Sequence, residues 1–123
     1  MAQEPKLHPY RGSCHCGTIQ FQFQTPLIEK GCRCNCSICK RRNAIMSDRY
    51  VPAHLFRLTA GATSLKCYRF GDRVVNHYFC SNCGIYTFHD ADISLVGYRI
   101  NLGCVEGLDI QSLPLRDIDG ASF

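Results

Sequence analysis

From Thr18 to Gln24 the chain runs Thr-Ile-Gln-Phe-Gln-Phe-Gln, apolar and polar positions alternating without a slip. That is the period of a strand with one buried face, and Pro26 ends it. Residues 65–70 and 74–79 read as two further strands joined by Gly71-Asp72, a two-residue hairpin signal. Residues 85–89 and 94–102 supply two more short strands, whereas residues 52–58 read as one or two helical turns closed near Gly61. Residues 1–11 are polar with two prolines and predict an irregular N-terminal arm, leaving residues 12–123 as a single domain. Helical periodicity never persists, and nothing repeats at a fixed period. The pattern predicts a mainly β, antiparallel fold without an internal boundary.

Length and composition agree with one globular core: 123 residues, 46% hydrophobic, without low-complexity tracts. No stretch approaches the length of a membrane-spanning helix. No apolar run follows the first basic residue near Met1, as an export signal would require. A cytoplasmic location is therefore expected, where thiols stay reduced and clustered cysteines favour metal over disulfides. The formal charge of +4 assumes neutral thiols. Seven thiolates on two divalent ions would lower it by three charges, so it carries little information about partners.

The ten cysteines change the picture most. Cys14-His15-Cys16 is a C-x-C pair, Cys34-Asn35-Cys36-Ser37-Ile38-Cys39 is C-x-C-x-x-C, and Cys80-Ser81-Asn82-Cys83-Gly84 is C-x-x-C-G. A C-x-x-C turn folds its second cysteine back under the first. A following glycine can take positive φ and leave backbone N–H groups aimed at the sulfurs. Cys14 and Cys16 precede one predicted strand, and Cys80 and Cys83 lie between two others. Two distant pairs at strand ends can close a four-sulfur structural zinc site. Such a site contributes on the order of 10 kcal/mol or more to folding.

Cys34, Cys36 and Cys39 remain as a compact triad. Three protein ligands with an open fourth position is the pattern of a catalytic zinc, and a thiolate-rich zinc has a second thiol as its natural guest. A thiol held there ionises near neutral pH and can attack a carbonyl carbon. Lys40, Arg41 and Arg42 follow directly and are candidates for binding the carboxylates of a small anionic thiol. Cys32, two residues upstream, is an alternative fourth ligand that would make this site a second closed structural zinc. Disulfides and iron remain as other uses of the thiols. Cys67 and Cys104 read as ordinary buried residues. His77, in alternation with Val75 and Phe79, reads as a core or hydrogen-bonded histidine. His15 is expected to point away from the metal, and His54 and His89 carry no usable signal.

Three blocks, Gly12-Ser13-Cys14-His15-Cys16-Gly17, Cys34 to Lys40, and Phe79-Cys80-Ser81-Asn82-Cys83-Gly84-Ile85, occur in that order. They resemble the glutathione-dependent formaldehyde-activating enzyme family, and within it the branch related to centromere protein V. The resemblance runs from about Gly12 to Asp119-Gly120. It implies a zinc-containing β-tent of small stacked antiparallel sheets. It also implies a structural zinc on Cys14, Cys16, Cys80 and Cys83 and a second zinc on Cys34, Cys36 and Cys39. The implied activity is that of a carbon–sulfur lyase: glutathione adds to formaldehyde to give S-hydroxymethylglutathione, and the lyase runs the reverse. The alternative expectation is a non-catalytic zinc module for nucleic acid or protein partners. A third is a zinc-stapled fold whose second site buffers thiol or metal.

Overall fold

The structure, a computed structural model, describes residues 5–71, 73–91 and 97–122. In chain order its strands are β1 (His8–Ser13), β2 (Gln20–Thr25), β3 (Gly31–Cys34), β4 (Met46–Ser47), β5 (Phe56–Ala60), β6 (Leu65–Tyr68), β7 (Val75–Cys80), β8 (Tyr86–Ala91), β9 (Arg99–Ile100) and β10 (Leu115–Ile118). One short helix, α1 (Ser37–Arg42), follows β3. The strands form three small sheets with orders β1-β2-β5, β10-β3-β4 and β6-β7-β8-β9. The fold is mainly β, as the alternation predicts. Among the described pairings only β10 with β3 is parallel, Ile118 lying beside Cys34.

The register of β2 follows directly from its sequence. Phe21, Phe23 and Thr25 are buried while Gln20, Gln22 and Gln24 face solvent. Phe21 meets Phe88 of β8 edge to face at 5.4 Å, and Phe56 of β5 stacks on Tyr98 at 4.1 Å and meets Phe88 edge to face at 4.8 Å. These rings join the first sheet to the third. Ile19, Val51, Ile100 and Leu102 complete a core in which Cys14, Cys80 and Cys104 are also enclosed. Isolated bridges from Gly12 to Val105, Met46 to Asn101 and Val51 to Tyr98 stitch the sheets at their edges. Burying a ring such as Phe21 stabilises the fold by about 1.5–3 kcal/mol, and edge-to-face pairing adds about 1 kcal/mol.

Four expectations shift. The N-terminal arm is ordered earlier than its composition suggests: β1 begins at His8 and pairs with β2 along its whole length. Residues 52–58 hold only one helical turn, Ala53–Leu55, before the chain enters β5 to pair with β2. The β6–β7 ladder ends at Tyr68 opposite His77, so the turn around Gly71, where Arg73 N–H donates to the Phe70 carbonyl, lies well beyond it. Asp72 and residues 94–96 of the predicted strands lie outside the described residues. Cys67 is exposed, not buried, because β6 is the outer strand of its sheet, where the side chains past Leu65 have no covering layer.

Candidate metal centres

The first and last cysteine pairs meet. The sulfurs of Cys14, Cys16, Cys80 and Cys83 all lie within 4.8 Å of one another. Cys14 Sγ is 3.6 Å from Cys16 Sγ, which is 3.7 Å from Cys80 Sγ. A disulfide needs about 2.05 Å, and all ten cysteines are free thiols. Four sulfurs at about 2.3 Å from one tetrahedral ion stand about 3.8 Å apart. The observed spacing therefore matches a metal cage. The donor set, four thiolates in a closed cluster, fits structural zinc.

Local backbone chemistry builds this cage. Cys14 N–H donates to the Ile19 carbonyl and Gly17 N–H to the Cys14 carbonyl, folding the C-x-C pair into a tight turn ahead of β2. Ile19 N–H donates to Cys14 Sγ at 3.3 Å. In the C-x-x-C-G turn between β7 and β8, the N–H groups of Asn82 and Cys83 point at Cys80 Sγ at 3.4 and 3.5 Å. Gly84 closes the turn at φ +79°, a conformation that costs glycine little and other residues more. Without metal the thiols are unequal: burial pushes Cys14 up to about 11, while the Thr18 hydroxyl and the Asn82 side chain pull Cys16 down to about 5. Four thiolates this close repel, and a divalent cation is what lets all of them ionise.

The second cluster is Cys34, at the end of β3, with Cys36 and Cys39 at the start of α1, their sulfurs again within 4.8 Å of one another. Cys36 N–H donates to Cys34 Sγ at 3.5 Å. Burial works against ionisation of Cys36, but hydrogen bonds from the Cys39 N–H and side chain outweigh it and lower its pKa. Burial pushes Cys39 up to about 12 against the pull of the Arg42 guanidinium. Three convergent sulfurs also fit zinc, with one position left for a further ligand. Cys32 is not in the cluster. It is buried, and its thiol donates to the Ser47 carbonyl on β4 at 3.4 Å. Among the described residues no fourth protein ligand closes this site.

Sequence reasoning missed how the C-terminal segment clasps this triad. Asn35 Nδ2 donates to Asp119 Oδ1 at 2.9 Å, and Ala121 N–H donates back to Asn35 Oδ1 at 2.9 Å. Asn35 N–H also donates to the Ile118 carbonyl at 3.1 Å. The clasp brings Gly120 so close that a Cβ there would lie 2.5 Å from Cys34 Sγ. The only hint in the sequence is that Asn35 sits between two ligands.

The three basic residues after the triad diverge. Arg41 is exposed and its Nη1 donates to the Ser37 carbonyl at 2.9 Å. Lys40 is exposed and borders a groove of about 330 Å³, lined also by Arg33, Cys34, Asn35, Asp117 and Asp119. Arg42 turns inward. Its Nη2 donates to Cys39 Sγ at 3.2 Å, its Nη1 to His77 Nδ1 at 2.9 Å, and its Cζ lies 3.7 Å above the Tyr86 ring. Tyr86 Oη is in turn 2.6 Å from His89 Nδ1. His77 is buried and hydrogen-bonded, as its alternation predicts. Burial and then Arg42 depress it to about 4; burial, Arg42 and His77 depress His89 to about 3. His89, silent in the sequence, faces His77 across the β7–β8 ladder. That pairing is visible only once the hairpin register is known. His15 and His54 are exposed, and Cys104 is buried.

Fold and cysteine geometry together define a small mainly β protein with two sulfur clusters able to hold metal. The sequence model of the glutathione-dependent formaldehyde-activating enzyme family matches residues 9–116, and the chain belongs to that family. The crystal structure of a Rhodobacter sphaeroides protein is similar to it, with a TM-score of 0.76 and 33% identity over 86% of this chain and 99% of that one. Among the described residues no helix is long and apolar enough to cross a membrane.

Proposed function

We propose that the protein is a zinc-dependent carbon–sulfur lyase-type enzyme that interconverts a small thiol plus a carbonyl compound with their adduct. Its proposed reaction is the addition of glutathione to formaldehyde to give S-hydroxymethylglutathione. The observation that carries this reading is the three-sulfur cluster without a fourth ligand among the described residues, one residue of which, Cys34, lines an open groove. In this reading Cys14, Cys16, Cys80 and Cys83 hold a structural zinc, and Cys34, Cys36 and Cys39 hold the second. The second zinc, when bound, supplies the positive charge that keeps a guest thiol ionised near neutral pH.

In the forward direction the thiolate sulfur forms a bond to the carbonyl carbon. The carbonyl π electrons move to oxygen, which takes a proton from solvent at the mouth of the groove. The reverse breaks the same carbon–sulfur bond. The groove is at the small end of ligand sites. Its lining of Lys40 and Arg33 cations with Asp117 and Asp119 carboxylates suits a guest that carries both carboxylate and ammonium groups, as glutathione does. Arg41 lies outside the groove lining and Arg42 has a different set of partners. The carboxylate-holding role therefore falls to Lys40, with Arg33 beside it. Arg42, turned inward, is also withdrawn from the exposed basic run on which a nucleic-acid-binding module would depend.

The test is adduct formation from glutathione and formaldehyde with zinc-loaded protein. Acceleration over the uncatalysed rate that disappears in Cys36→Ser supports the reading. Equal rates with and without wild-type protein remove it.

A further inference from the structure

Arg42 is the one cation of its run that is folded against the interior, and its surroundings are unusual. Its guanidinium rests on the Tyr86 face and donates to His77 Nδ1 and to Cys39 Sγ, while its Nε is buried without a partner. Among the described residues no carboxylate pairs with it. A guanidinium only donates, so His77 must present an unprotonated Nδ1 and is neutral. Phe70 stacks on His77 at 5.7 Å and 22°, and His89 meets its edge at 5.5 Å. The acceptor is thus locked in place by rings on both sides. Enclosed charges require a counter-charge, and a metal-bound Cys39 sulfur, 3.2 Å from Arg42 Nη2, would be the anion within reach.

We propose that Arg42 is a positioning residue that orients the Cys39 sulfur and biases the three-sulfur centre towards an anionic fourth ligand, a thiolate, over a neutral one. The inference rests on the triad being an open metal centre, as proposed above. Three thiolates and one divalent ion leave a net negative charge, and a fourth thiolate adds another. In a partly buried site such a sum repels the guest unless a cation offsets it. Arg42, on α1, supplies that cation through its contact with Cys39 Sγ. Its charge is permanent, so the bias does not vary with pH. The Tyr86 face adds a cation–π contact that fixes the guanidinium.

The experiment uses the full chain loaded with Co2+, titrated separately with 2-mercaptoethanol and with imidazole. Sulfur-to-cobalt charge-transfer absorption reads the first and the d–d bands the second. In Arg42→Gln the apparent affinity for the thiol is expected to fall by about 10-fold, in the range of losses when a group supporting a ligand is removed. Imidazole affinity stays within about twofold, and Arg42→Lys recovers part of the thiol affinity. Equal losses for both guests, or none for either, overturn the inference. If Arg42→Gln does not retain metal at the triad, His77→Leu decides the matter, because it removes the acceptor that aims Arg42 and leaves the guanidinium and the three cysteines in place. A selective loss of thiol affinity in His77→Leu supports the inference, and an unselective one refutes it. A wild-type protein that binds no added thiol removes the proposed function, and this inference with it. Thiol binding that is indifferent to Arg42 removes the inference alone.

Discussion

Gly120→Ala separates the stability of the fold from the integrity of the second centre. Gly120 opens the last helical turn, Gly120–Ser122, where alanine would ordinarily be favoured over glycine by up to about 1 kcal/mol. Here the new methyl would sit 2.5 Å from Cys34 Sγ and 3.2 Å from Cys36 Cβ. Ordinary contact is about 3.5–4 Å, so one partner must move by about 1 Å. Cys34 Sγ is the end of a short side chain and can rotate away, so the fold with the triad empty and the four-sulfur cage filled is expected to lose little stability. A metal ligand has no such freedom, because workable bond lengths span about ±0.2 Å. The substitution is therefore expected to weaken metal at the triad by at least about 10- to 100-fold, or about 1.4–2.8 kcal/mol. The four-sulfur cage is left intact. Chelator competition with metal analysis reads this as a fall from the proposed two ions per chain towards one, with the thermal midpoint of the one-ion protein close to that of wild type stripped of its triad ion alone. Two ions held as tightly as in wild type would refute the clasp argument. Loss of both ions together would show instead that the two centres are not independent.

Three further outcomes follow from the same geometry. Cys80→Ser removes the sulfur that both Asn82 and Cys83 N–H groups address. Since structural zinc contributes on the order of 10 kcal/mol, comparable to the whole stability of a domain, circular dichroism should show an unfolded or molten chain at 25 °C; a cooperative transition near the wild-type midpoint would count against the structural role. Phe21→Ala, at a position 1% exposed and under three neighbouring rings, should cost about 3–5 kcal/mol, read by urea unfolding of the metal-loaded protein, and a loss under 1 kcal/mol would show that the rings are not the joint between sheets. For pH, His77 ionises at about 4 in the fold against 6.5 for the free side chain. The unfolded chain therefore binds the extra proton first, and the stabilisation from neutral His77 is complete above pH 6.5 and lost as pH falls towards 4. His77→Asn, which keeps an acceptor but cannot titrate, should flatten the stability–pH curve in that window, and an unchanged slope would remove the assignment.

What the linear chain determines is whatever depends on near neighbours. The strict alternation through Phe21 and Phe23 sets which face of β2 is buried, because side chains on a strand alternate regardless of what lies opposite. The close spacings Cys14–Cys16, Cys34–Cys36–Cys39 and Cys80–Cys83 set the chelating turns, because a few backbone dihedrals decide whether two sulfurs converge. Tertiary packing decides everything that needs distant residues to meet. It pairs β3 with β10 across most of the chain, and so places Gly120 against Cys34 and Asp119 on Asn35. It leaves Cys67 outside and Cys32 inside, since burial depends on whether another layer covers a strand and not on residue type. It also divides Lys40, Arg41 and Arg42, identical in charge and adjacent in sequence, among a groove, a solvated surface and an interior of rings. Successive residues of a helix point about 100° apart, and only the neighbouring sheet determines which of those directions leads inward.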